Sequence, residues 1–353
     1  MNRLTLPDSP RVLIVKLSAV GDVVHTLPAL NALRNAYPKA NIGWAAQPVA
    51  ANLLEGHPQI DELLVLPRRL KMSWSAINQV REQLRGSRGG WDVAIDFQGL
   101  TKSGLVAWQS GAPQRIGLGN RWSRELNRFF MNVRVSPAAE QVMQMNIGLL
   151  EPLGIAPDTI PDAVLHVSDA DREAIARWTE SQGVAGEWFL FLDPFAGWPT
   201  KLWEPEKWIQ VARLAHQRFG LRPLVFHGPG EEQHARELAQ SAGADVGAVV
   251  APSTTLREYA ALLQSHAGAM VAADTGPMHI AAAAGVPVVA LFGPSDSRRN
   301  APAFEGSRYK LLQDFKQPCA TTNVRTCKYH PPGKCMGTLT PDQVITALEE
   351  LLR

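Results

Sequence analysis

Several polar turns in this chain follow short apolar runs, and each carries side chains able to handle an anion or a proton. The first reads Val15-Lys-Leu-Ser-Ala-Val-Gly-Asp-Val-Val-His-Thr-Leu-Pro-Ala-Leu30, an apolar run that enters a small-residue turn at Gly21 and a helix beginning near Asp22. A carboxylate there is stabilised by the helix dipole and by unpaired backbone N–H groups, so position alone is equally consistent with a simple cap. The second reads Val271-Ala-Ala-Asp-Thr-Gly-Pro-Met-His279 and continues as an alanine-rich helix. Asp274, Thr275 and Gly276 would lie at that helix N-terminus, where converging N–H groups suit a diphosphate, and His279 on the first turns could reach the same anion. The plainer alternative is a capped core helix with a satisfied histidine.

Two further turns belong to the same half. Asp193-Pro-Phe-Ala-Gly-Trp-Pro-Thr-Lys201 ends an apolar run in a Gly/Pro loop, and the Lys201 ammonium could neutralise a leaving phosphate. Val225-Phe-His-Gly-Pro-Gly-Glu231 places a carboxylate past two glycines, where it could bind ribose hydroxyls or simply start a helix. In the first half, Pro67-Arg-Arg-Leu-Lys71 supplies Arg68, Arg69 and Lys71, joined by Lys102 of Asp96-Phe-Gln-Gly-Leu-Thr-Lys102. Clustered cations suit a phosphorylated or carboxylated acceptor, although short charge runs are commonly solvated helix faces.

Such groups need a scaffold that sets them at strand ends. Short β-branched runs at 11–16, 42–46, 63–66 and 92–97 alternate with amphipathic stretches, and the pattern resumes at 189–192, 222–227, 268–273 and 286–292. The alternation predicts an α/β protein with two parallel sheets and crossover helices. Between the halves, Leu153 to Asp162 is rich in Pro and Asp and lacks periodicity, and Ser168-Asp-Ala-Asp171 signals a helix start, so a linker is expected near 153–168. The expected domains are residues 1–160, residues 168–335 and a terminal helix over 340–353 that packs on a lobe, its stripe being Val344, Ile345, Leu348, Leu351 and Leu352. In such sheets ligands bind beyond the carboxyl ends of the strands, and two lobes would enclose a cleft.

At 353 residues the chain is long for one core, and 45% hydrophobic with 19% charged residues is an ordinary globular composition. A net charge of +2 gives no ground for general nucleic-acid binding. The longest apolar window, Ile280 to Phe292, is broken by Gly285 and Pro287, and Met1 to Pro10 lacks an apolar core, so neither a membrane span nor an export signal is expected. Three cysteines in such a chain fit a reducing cytoplasm. Gly117-Leu-Gly-Asn-Arg-Trp122 has tryptophan where a dinucleotide fingerprint needs its third glycine, which argues against a dehydrogenase.

Taken together, Lys16 to Leu30, Asp96-Phe-Gln-Gly-Leu-Thr-Lys-Ser103, Lys201 with Trp203, Asp274-Thr-Gly-Pro-Met-His279 and Phe292-Gly-Pro-Ser295 resemble the lipopolysaccharide core heptosyltransferases, above all heptosyltransferase I. The resemblance runs over nearly the whole chain. It implies the GT-B fold of two Rossmann-like lobes, an inverting and metal-independent transfer without cofactor, and ADP-L-glycero-D-manno-heptose as donor. By position it makes Asp22 the general base, and Lys201, Glu231, Asp274, Thr275, Gly276 and His279 the donor site. It makes Arg68, Arg69, Lys71 and Lys102 the acceptor surface, with Arg115 and Arg121 beside it, for Kdo or heptose on an anionic glycolipid at the cytoplasmic face of the inner membrane. A monomer is expected. Other nucleotide sugars, a protein acceptor and a non-catalytic sugar-nucleotide binder stay open as alternatives. Relatives carry a cysteine cluster resembling Cys319, Cys327 and Cys335, with His330 nearby. Thr322 breaks its Cys-x-x-Cys start and the spacing is not a standard zinc pattern, so no metal is expected.

Overall fold

The computed structural model describes residues 3–68, 80–84, 90–119, 123–327 and 334–353. The chain forms two compact units, residues 1–166 with 303–305, and residues 167–302 with 306–353.

The first unit is built on β1 (Arg11–Val15), β2 (Asn41–Ala46), β3 (Glu62–Val65), β4 (Val93–Asp96), β5 (Gln114–Leu118) and β6 (Val133–Val135). Around them lie α1 (Val20–Val24), α2 (Leu27–Ala36), α3 (Pro48–Leu54), α4 (Thr101–Gln109) and α5 (Val142–Gly148). The sheet order is β3-β2-β1-β4-β5-β6. Val12, Leu13, Ile14 and Val15 are buried on both faces of the sheet, which is why β1 is a continuous apolar run and not an alternating one. At Gly104 on α4, an added Cβ would sit 2.8 Å from the Asn127 amide nitrogen and 2.9 Å from the Phe130 ring. That close approach seats α4 against the 127–130 segment.

The second unit repeats the plan with β7 (Phe189–Asp193), β8 (Arg222–Val225), β9 (Val249–Val250), β10 (Ala267–Ala273), β11 (Val288–Phe292) and β12 (Tyr309–Gln313). Its main helices are α6 (Asp169–Ser181), α7 (Pro205–Phe219), α8 (Glu232–Ala242), α9 (Leu256–His266), α10 (Gly276–Ala283) and α11 (Pro341–Leu352). The order β12-β11-β10-β7-β8-β9 is the same winding as in the first unit. Val344, Ile345, Leu348 and Leu351 of α11 join the core formed with Trp208, Val211 and Val289. Ser168 and Asp171 close a reciprocal cap at the start of α6, and Thr340 and Gln343 do so for α11.

All strand pairings among the described residues are parallel. The expected α/β architecture of two parallel sheets is present, and the eight anticipated runs form the strands β1 to β4, β7, β8, β10 and β11. Four strands went unanticipated: β5, β6, β9 and β12. Three of these are sheet edges, where one side of the strand faces solvent and the apolar signal fades; β12 is half-buried along its whole length. Among the described residues no helix is long and apolar enough to cross a membrane.

Candidate active site

In both sheets the strand order reverses between two central strands, β1 and β4 in the first unit and β7 and β10 in the second. At such switch points the loops leave in opposite directions and open a crevice at the carboxyl ends of the strands. The turns that carry Asp22, Lys102, Lys201 and Asp274 fall at these two places, whereas Glu231 follows β8, one strand away, and Arg68 follows the edge strand β3.

In the first unit, the Asp96 carboxylate ends β4 fully buried and accepts four hydrogen bonds. The amides of Gln98 (2.8 Å) and Gly99 (3.1 Å) donate to Oδ1, and the Ser103 hydroxyl (2.9 Å) and Asn127 amide (2.5 Å) donate to Oδ2. Burial pushes this carboxyl up, against the four donors. The loop so fixed presents Gln98, whose side-chain oxygen accepts from the backbone amides of Leu17 (2.8 Å) and Ser18 (3.3 Å). It also presents the Phe97 carbonyl, which accepts from Lys16 Nζ at 3.0 Å. The turn after β1 is thereby held from the β4 side.

Asp22 is the third residue of α1. Its Oδ2 accepts from the Ala19 amide at 3.4 Å and lies 3.9 Å from Lys16 Nζ, and half of its side chain is exposed. The capping bond is long. A carboxylate open to solvent with an ammonium beside it can receive a proton from an approaching hydroxyl. Lys16 and Gln98 had not been singled out as site residues. The lysine had a signal in the sequence: a cation closing a fully buried strand needs partners.

Of the anticipated acceptor cations, Arg68 is exposed, with its carbonyl held by Gln47 at 3.0 Å, and Lys102 is half-buried in the first turn of α4. Arg69, Lys71 and Arg121 lie outside the described residues. Arg115 is spent on the carbonyls of Phe130 (2.7 Å) and Ala112 (2.8 Å), which gives it a structural job.

In the second unit, Lys201 from the loop after β7 meets Asp274 and His279 from the turn and helix after β10. Lys201 Nζ donates to the Asp274 carbonyl and to Asp274 Oδ2, both at 2.7 Å, and lies 5.1 Å from the centre of the Trp198 ring. His279 Nε2 is 3.4 Å from Asp274 Oδ1. Burial alone would raise the Asp274 carboxyl, but the hydrogen bond from His279 and the Lys201 ammonium hold it well below the usual carboxylate range. The Thr275 hydroxyl donates to Asp193 Oδ2 at 2.7 Å. Asp193, absent from the anticipated site residues, ends β7 buried, and burial pushes its carboxyl up to about 7. Glu231 precedes α8 and accepts from the Gly228 amide at 2.7 Å, a bond that folds the glycine turn back on the carboxylate. The arrangement offers a fixed ammonium, an imidazole and the start of α10 at one strand edge, the means to hold a phosphate group.

The Cys319 thiol is buried and is pushed up to about 12 by burial and by the neighbouring Cys335 and Cys327 thiols. Cys335 Sγ points to the Thr200 carbonyl at 3.8 Å. Among the described residues no group of three or more His, Cys, Asp or Glu is arranged to hold a metal ion, and His330 lies outside them.

Residues 77–331 match the model of glycosyltransferase family 9 (heptosyltransferase). Lipopolysaccharide heptosyltransferase 1 of Pseudomonas aeruginosa is 32% identical over 97% of this chain and 98% of that protein. The chain belongs to glycosyltransferase family 9. This family 9 glycosyltransferase has the fold of the glycosyl transferase family 9 structure from Veillonella parvula, with TM-score 0.81 over 97% of both chains at 24% identity. E. coli heptosyltransferase WaaC, solved with ADP-2-deoxy-2-fluoro heptose, is 25% identical over 96% of this chain and 99% of that chain, with TM-score 0.72. The family 9 glycosyltransferase is thus a GT-B protein of two Rossmann-like lobes, as its motifs implied.

Proposed function

We propose that this enzyme moves a heptose from ADP-L-glycero-D-manno-heptose to Kdo or heptose on an anionic glycolipid of the lipopolysaccharide inner core, with inversion at the anomeric carbon. It would do so as a peripheral protein at the cytoplasmic face of the inner membrane. The observation that carries the reading is the convergence of Lys201, Asp274 and His279 at the switch point of the second sheet, at the mouth of α10. The names of the Pseudomonas relative and of the WaaC complex support the donor and the pathway.

In this reading the donor's diphosphate lies against the Thr275-Gly276 turn, where Lys201 and His279 meet the charge that builds up as ADP departs. Each well-placed donor contributes roughly 3 kcal/mol to such a transition state. Asp274 orients both side chains and does not itself meet phosphate, because two carboxylate oxygens already engaged by Lys201 and His279 repel an anion. Glu231 takes the ribose hydroxyls. Asp22 accepts the proton of the attacking hydroxyl, and one in-line displacement inverts the configuration. Arg68, Arg69, Lys71 and Lys102 receive the acceptor's carboxylates or phosphates. The test is ADP release from ADP-heptose across an acceptor panel of Kdo-bearing glycolipid, heptosylated glycolipid and protein serine. Release with the glycolipids alone supports the reading, and release with none removes it.

Two consequences can be measured directly. Lys201→Ala should raise the ADP Kd about tenfold or more in calorimetry, since a charge-assisted bond is lost. An unchanged Kd would take Lys201 out of the site. Replacing Arg68, Arg69 and Lys71 together by Gln should raise the acceptor KM severalfold and flatten its dependence on salt, with ADP-heptose affinity unmoved. Acceptor kinetics identical to the parent enzyme would make the cluster a solvated face.

A further inference from the structure

The start of α10 has an irregularity that the donor reading leaves unexplained. Thr275 occupies the cap position in extended backbone, with φ −135° and ψ 169°, yet its side chain makes no capping bond. A threonine so placed ordinarily accepts from an amide of the first turn. Here the Thr275 hydroxyl donates instead to Asp193 Oδ2 at 2.7 Å, with the Ala273 carbonyl at 3.3 Å as a second, weaker partner. Pro277, the second residue of the helix, has no N–H at all. Asp193 therefore governs where the Thr275 oxygen stands relative to the amides of Gly276 and Met278.

Asp193 itself is 3% exposed, and an amide donates to it from Phe195. The ionisable groups facing it are the Glu231 carboxylate, from the turn before α8, and the Tyr259 phenol of α9. Tyr259 is buried, with its hydroxyl toward Met270 Sδ at 3.7 Å. The Lys201 ammonium and the His279 imidazole are engaged with Asp274. An ionised Asp193 would thus stand beside another carboxylate, buried, on the threonine that borders the proposed phosphate position. Burial first, and Glu231 with it, raise the carboxyl to about 7, while the bonds from Thr275 and Phe195 oppose the shift.

We propose that Asp193 is a positioning residue of the donor site: it holds the Thr275 hydroxyl off the first turn of α10, so that the turn's amides serve the donor diphosphate, and it takes a proton from solvent when that diphosphate docks. The inference rests on the donor reading above. No bond to the donor forms through Asp193. The proton sits on one carboxyl oxygen while the other keeps Thr275, and it returns to solvent when ADP leaves. Linkage fixes the sign: a state in which the group must be protonated is favoured below its pKa and progressively lost above it.

The experiment is calorimetric binding of ADP-heptose, whose diester phosphates carry no proton that titrates near neutrality, from about pH 6 to about pH 8.5 in buffers of low and high ionisation enthalpy. For the parent enzyme the affinity should fall about tenfold over this range, with net proton uptake near neutrality. Asp193→Asn retains an oxygen for Thr275 and cannot titrate; its affinity should match the parent's acid limit and stay flat, without proton uptake. Asp193→Ala releases Thr275 to cap the helix, and its affinity should be lower at every pH. A purely structural Asp193 would give melting-temperature changes in both variants while the pH profile of affinity stayed that of the parent, which overturns the proposal. So does the absence of proton uptake by the parent enzyme. No binding heat with the parent at any pH would instead overturn the donor reading, and this inference with it.

Discussion

Asp22→Asn should lower kcat at least about a hundredfold while the Tm and the ADP-heptose affinity remain those of the parent enzyme. The carboxylate has two candidate jobs, and the structure separates their costs. As a cap it makes one bond of 3.4 Å to the Ala19 amide, and such a cap is worth about 0.5–2 kcal/mol. Asparagine keeps an oxygen for that bond, so stability should hold. As a base it must accept a proton, which the amide oxygen cannot do, and removal of a general base typically costs 10² to 10⁴ in rate by the usual order-of-magnitude reckoning. Lys16 stays anchored on the Phe97 carbonyl in either case. Steady-state kinetics beside thermal melting decides the matter. A variant that melts early and turns over normally would make Asp22 a cap.

The second large effect concerns a residue that touches no substrate in the proposed reaction. Asp96→Ala should destabilise the protein by at least about 3 kcal/mol, because it strands donors from Gln98, Gly99, Ser103 and Asn127 in a fully buried place, at about 1–3 kcal/mol for each that finds no new partner. Asp96→Asn, which keeps one acceptor oxygen, should fall between. Urea unfolding should show a lower midpoint with the slope unchanged. A loss under about 1 kcal/mol would mean that water enters and satisfies the loop. Since the same loop carries the Gln98 side chain onto the amides of Leu17 and Ser18, turnover should drop along with stability.

The central strands could be read in the sequence because the interiors of β1, β4, β7 and β10 are buried on both faces and must be apolar. β5 opens with Gln114 and Arg115, and β9 is only Val249–Val250, too short for any period to register. The strand-end residues Lys201, Asp274 and His279 stood out because a polar group after an apolar run has few structural excuses. Asp193 and Asp96 also sit at strand ends, yet their significance depends on partners with no local trace. Thr275 is 82 residues from Asp193, and Asn127 is 31 from Asp96. Arg115 shows the opposite failure, since a cation drawn to carbonyls cannot be told by composition from one drawn to an anion.

The equal winding of the two sheets also sets an order of events for a chain leaving the ribosome. Each crevice is closed by strands far apart in sequence: Leu17 waits for Gln98, 81 residues later, and Asp193 waits for Thr275. A nascent chain that has emerged only through α3 already contains Asp22 but not the Gln98 side chain that holds the Leu17 and Ser18 amides. Closing a loop of that length costs entropy that only the finished sheet returns. Both proposed ligand-handling ends therefore come into being after β4 and β10 have paired and not gradually. Hydrogen exchange of the Leu17 and Ser18 amides becomes a direct gauge of whether the first unit is complete.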